Sequence, residues 1–187
     1  MKKSNLFLIG IIVFVLIIVI SMISTYNGMV SKQEEVENAF SNLDVMLQRR
    51  SDLIPNLVNT VKGYTNHENE IIAKVTDART KLVNANNVEE KAKANNELSS
   101  SLNALMVIVE NYPDLKSSEN FKQLSDELAG TENRIAVARK DYNDAVKRFN
   151  TSIKKFPNNM LAGLFGFEKV AYFEADEKSA VVPNVNF

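Results

Sequence analysis

Arg50 breaks an otherwise apolar series. Val36, Phe40, Leu43, Leu47, Ile54, Leu57 and Val61 follow alternating steps of three and four, and Arg50 stands where the next apolar residue should be. A guanidinium on a buried stripe must meet a carboxylate or carbonyl oxygens, because an unpaired buried charge costs several kcal/mol in rough terms. Further along, Glu132, Arg139, Asn143 and Asn150 fall within about 40° of one another at a helical turn of roughly 100° per residue. Glu132 is the first candidate partner for Arg50, and Glu110 is a second. The chemistry open to Arg50, Glu132, Arg139 and Asn143 is recognition. Either this polar ribbon fixes helix register, or it lines a groove for a ligand or a protein partner.

Catalytic chemistry finds less material. His67 is the sole histidine and cysteine is absent, so a nitrogen or sulfur metal site has no ligand set, and no metal or cofactor is expected. His67 reads as a surface residue inside a T-x-x-E capping box from Thr65 to Glu68. No S-x-x-K pair and no glycine-rich phosphate loop occurs. Arg49-Arg50 is too short for a nucleic-acid patch, and a net charge of −1 steers toward no charged polymer. A non-catalytic protein is the expectation, without nucleic acid as a partner.

The elements that position these residues are helices. Glycine and proline are few, at 6 and 4, which suits long helices. Helix A is predicted from near Tyr26 to Lys62, with a kink at Pro55 and a stop at Gly63. Helix B follows the capping box with Ile71, Val75, Ala78 and Leu82 on one face. Asn87 caps helix C, which carries Leu98, Leu102, Leu105 and Val109. Tyr112-Pro113 forces an extended turn. Ser117 or Ser118 then caps helix D, with Phe121, Leu124, Leu128, Ile135, Tyr142, Val146 and Ile153, which stops before Pro157. Amphipathic helices joined by short turns bury their stripes together, so the expected fold is all-α: an antiparallel up-and-down four-helix bundle with long helices.

Ahead of helix A, Leu6 to Ile23 reads LFLIGIIVFVLIIVISMI, eighteen residues without a charge. With its flanks, residues 5–24, it reaches the ~20 residues needed to cross a roughly 30 Å hydrocarbon core. A cleaved signal peptide is the competing reading, with Val19 and Ser21 at the cleavage positions. The run exceeds the usual apolar region of about 7–15 residues and no A-x-A follows it, so an uncleaved anchor in the lipid bilayer is preferred. Lys2 and Lys3 before the span outweigh Lys32 after it, favouring a cytoplasmic N-terminus and an extracytoplasmic bundle. The expected organisation is an anchor over 1–25, a helical bundle over 26–157 and an extension over 158–187. The extension's apolar first part is expected to pack back on the bundle rather than lie at a membrane interface, since it lacks a basic polar face, and its end to be disordered.

Several uncommon strings recur in order along the chain: Tyr26-Asn27, Asn38-Ala39-Phe40, RRSDLIPNLVNTVKGY from Arg49, Tyr112-Pro113-Asp114-Leu115-Lys116, and ELAGTENRIAVARKDYNDAV from Glu127. With Phe121, Leu124, Asn150 and Phe156-Pro157, they resemble the signature blocks of the LemA family over nearly all of Tyr26 to Phe173. The resemblance implies a bacterial-type protein with one N-terminal transmembrane helix and a mostly helical domain. It implies no agreed activity and no catalytic set. The expected function is a membrane-anchored scaffold or adaptor that presents a bundle surface to protein partners at the cell envelope. The alternative is a ligand-binding sensor using the polar ribbon between helices A and D.

Overall fold

A computed structural model describes residues 3–65 and 68–174, with side chains from Phe7 onward. His67 and the polar tail beyond Glu174, both given expectations above, lie outside the described residues. The all-α expectation holds: the described residues form helices and no strand. The elements are α1 (Lys3–Lys62), α2 (Asn69–Asn84), α3 (Val88–Val109), α4 (Pro113–Ser117), α5 (Glu119–Lys154) and α6 (Asn158–Phe165).

The first difference from the sequence reading is that the apolar run and helix A are one helix of 60 residues. Nothing at Ser24 to Gly28 stops a helix: there is no proline, and a lone glycine costs only about 1 kcal/mol. Pro55 also sits inside α1. Its ring leaves the carbonyl of Ser51, four residues back, without its helical donor. The Nε of Arg79 on α2 donates to that carbonyl at 2.9 Å, supplying the missing bond from outside the helix.

Two compact units divide the chain. One comprises α1 up to Asn38 with residues Asp144–Val170. Its core includes Met29, Val36, Val146, Phe149, Ile153 and Ala162. Tyr26 meets Phe165 and Phe167 with ring centroids 4.9 and 5.7 Å apart, and Phe149 meets Phe167 at 6.3 Å. α6 ends at Gly166, whose φ of 75° is costly for any residue with a Cβ, and Phe167 N–H donates back to Ala162 O at 2.9 Å. Asn150 holds the chain beyond α6 with a pair of bonds, donating to Val170 O at 2.8 Å and accepting from Val170 N–H at 2.9 Å.

The other unit comprises Ala39–Asn143 with the chain from Ala171. Its core is the predicted one: Leu43, Leu47, Ile54, Leu57 and Val61 of α1 are buried, as are the apolar stripes of α2 and α3. Each such leucine, isoleucine or valine contributes roughly 1.5–3 kcal/mol over its exposed state. The predicted caps at Asn87 and Ser118 form: Asn87 Oδ1 accepts from Glu90 N–H at 2.8 Å and Ser118 Oγ from Phe121 N–H at 3.2 Å. The Thr65 capping box does not. Thr65 Oγ1 donates back to Val61 O at 3.1 Å, and α2 begins only at Asn69, after Glu68. Residue 65 is still closing the end of α1, so its hydroxyl serves that helix's orphan carbonyls rather than the next helix's amides.

Candidate functional site

In the second unit the polar residues singled out above have distinct fates. Arg50 is 4% exposed on α1. Its Nη1 donates to Asn95 Oδ1 on α3 and pairs with Glu132 Oε2 on α5, both at 2.7 Å. One guanidinium thus ties three helices together. Burial pushes the Arg50 pKa down and the Glu132 carboxylate opposes that. The Glu132 side chain is 49% exposed, so water shares in solvating the pair. Arg50 Nε and Ser51 Oγ find no partner among the described residues. Glu110, the second candidate partner, instead pairs with Lys116.

Asn143 is engaged elsewhere. It donates to Phe173 O at 3.1 Å and accepts from Phe173 N–H at 2.9 Å. Next to it, the buried Tyr142 hydroxyl donates to Ala171 O at 2.8 Å, and burial pushes its pKa up to about 12. These bonds satisfy backbone groups of an extended segment that has no helix or sheet to do so. Tyr142 also packs on Phe40 at 5.6 Å, and Lys91, which pairs with Asp44, lies 5.6 Å from the Phe40 ring centroid. Arg139 is half-buried on α5 and makes no hydrogen bond or ion pair with a described residue.

Arg49, next in sequence to Arg50, helps line an open groove of about 710 Å³ with Glu119, Lys122, Gln123, Asp126, Glu127, Gly130 and Arg134. Most of its wall is one stripe of α5: residues 119, 123, 126, 130 and 134 recur at steps of four and three. That period was present in the sequence but hidden, because a polar stripe reads as an ordinary solvated face. Gly130 is the unusual member. A Cβ built there would meet nothing within 4 Å, so neither packing nor backbone strain calls for glycine at this position. A second open groove, between α2 and α3, measures about 790 Å³ and includes the Lys81–Glu97 pair at 2.6 Å.

The family model described as "LemA family" matches residues 39–187. The chain belongs to the LemA family. Magnetosome proteins MamQ 1 and MamQ 2 of Paramagnetospirillum magneticum are each 31% identical to it over 180 aligned residues, covering 82% of this chain and 66% of theirs. The chain therefore spans just under two thirds of the length of those relatives. Protein LemA of Metamycoplasma hominis is 32% identical over 152 residues, covering 81% of this chain and 69% of its own. Among the described residues of this LemA-family chain, one helix, at the N-terminus, is long and apolar enough to cross a membrane, and its most apolar stretch is wholly unburied.

Proposed function

We propose that this LemA-family protein is a membrane-anchored, non-catalytic scaffold whose α5 groove takes a protein partner at the cell envelope. The groove's charge carries the reading: Arg49, Lys122 and Arg134 are balanced by Glu119, Asp126 and Glu127. A small anionic ligand would meet as much repulsion as attraction there. A protein surface bearing both signs is complementary to it. Gly130 supports the same reading. It lowers helix stability by about 0.5–1 kcal/mol relative to alanine while leaving space that a partner's side chain can enter. In this reading Arg50 and Glu132 hold α1, α3 and α5 in register. The relatives named for the magnetosome are named for a structure rather than a reaction, which agrees with a scaffold. Lys2 and Lys3 support a cytoplasmic N-terminus, with the helical domain on the other side.

The test uses a photocrosslinking residue at Gln123 or Arg134 in intact cells. A discrete adduct is expected, and filling the space with Gly130→Trp should abolish it while Gly130→Ala keeps it and raises thermal stability. Monomer alone from both probe positions, with the protein folded, would sink the proposal.

A further inference from the structure

α6 carries no charged residue, and large apolar side chains at and just before it face open space. Phe156, Met160 and Leu164 are 80%, 68% and 71% exposed, and half of Phe165 is exposed too. Exposed apolar side chains grouped on one short segment usually mark an interface. The position of α6 says with what. The Phe165 ring packs edge-on against Tyr26 at 4.9 Å, and Tyr26 lies three residues beyond Ile23, the last of the uncharged apolar run. Three helical residues rise only about 4.5 Å. Helical side chains also lean toward the N-terminus, so the Tyr26 ring reaches back toward that run. Burial along α1 begins at the same level: residues 7–21 are exposed, Met22 and Thr25 are half-buried, and Met29 is buried. A tyrosine at this height sits where aromatic belts meet headgroups.

We infer that α6 is a second membrane contact, lying in the headgroup–acyl boundary beside the span with Met160, Leu164 and Phe165 immersed. Interfacial helices seat their apolar faces roughly 5–10 Å into that boundary. Lys154 and Lys155, both exposed just before α6, suit anionic headgroups at its rim. Packing against the protein and lying at the interface are therefore not alternatives for this segment: Ala162 and Phe167 do the first, and the exposed face does the second. The inference rests on α1 being a retained anchor. Two attachments would fix the tilt of this unit on the bilayer, which a single helix leaves free.

The chain contains no tryptophan, so a single one makes a clean depth reporter. The full chain would be reconstituted in phosphatidylcholine vesicles with a fraction of anionic lipid, brominated either near the headgroup end of the acyl chain or near its terminus. Leu164→Trp and Met160→Trp, at exposed positions, are expected to lose most of their emission to the shallow bromines and little to the deep ones. Phe14→Trp, within the span, should be quenched most by the deep bromines. Quenching of Phe14→Trp without quenching at 160 and 164 would overturn the α6 contact and leave the anchor standing. Absence of quenching at Phe14 would overturn both. A blue shift at 164 that depends on protein density and not on brominated lipid would assign the face to a second copy and overturn the inference.

Discussion

Removing the Arg50 guanidinium and removing the Glu132 carboxylate should cost different amounts, because one is buried and the other half-exposed. Arg50→Ala leaves a cavity and an Asn95 oxygen without its donor, for about 2–4 kcal/mol. Glu132→Ala leaves the arginine its asparagine and some water, for about 1–2 kcal/mol after allowing for solvent screening. Urea unfolding of the detergent-solubilised chain should show that order, and the reverse order would contradict the structural role. Tyr142 gives a pH signature. Its pKa, ordinarily near 10, is raised by burial to about 12 and its neutral hydroxyl donates to Ala171 O. The folded value lies above the unfolded one, so this stabilisation is complete below about pH 10 and is lost as pH rises through about 12. Tyrosinate absorbance should show a late step near pH 12 that is lost in Tyr142→Phe, while Tyr112, raised by its hydrogen bond to Glu68, ionises late in both proteins. Arg50 and Glu132 were legible in the sequence because each interrupts or borders a periodic face. The bonds of Asn143 to Phe173 were not, since an amide side chain pairing with backbone 30 residues away leaves no periodic trace.

At the scale of elements, α1 runs through a proline because a neighbouring helix completes its bonding. If Arg79 replaces the donor that Pro55 lacks, the two residues must be coupled. Arg79→Ala is expected to cost about 1–2 kcal/mol in the natural chain and distinctly less in a Pro55→Ala background, where the restored N–H takes the Ser51 carbonyl. Equal cost in both backgrounds would remove that explanation. The sequence located most elements because seams and caps are local: Leu43 to Val61, Asn87 and Ser118 all stand as read. It misplaced the start of α2, since a T-x-x-E string can equally close the preceding helix. α6 went unrecognised as a helix because eight residues ending at a left-handed glycine give too little periodicity to count.

For the whole molecule, membership of the LemA family and one long apolar N-terminal helix frame the account, and the proposed role adds a retained anchor and a groove for a partner. The anchor is what makes the other two proposals geometrically meaningful. A groove partner must come from the compartment the domain faces, and α6 can reach lipid only if the span keeps Tyr26 at the interface. The most direct measurement is the intact mass of the protein recovered from carbonate-washed cell membranes and from the soluble fraction. The account predicts a membrane-retained species that still carries residues 6–23, from a chain of 21.0 kDa. A soluble species beginning after Ser21 would contradict it.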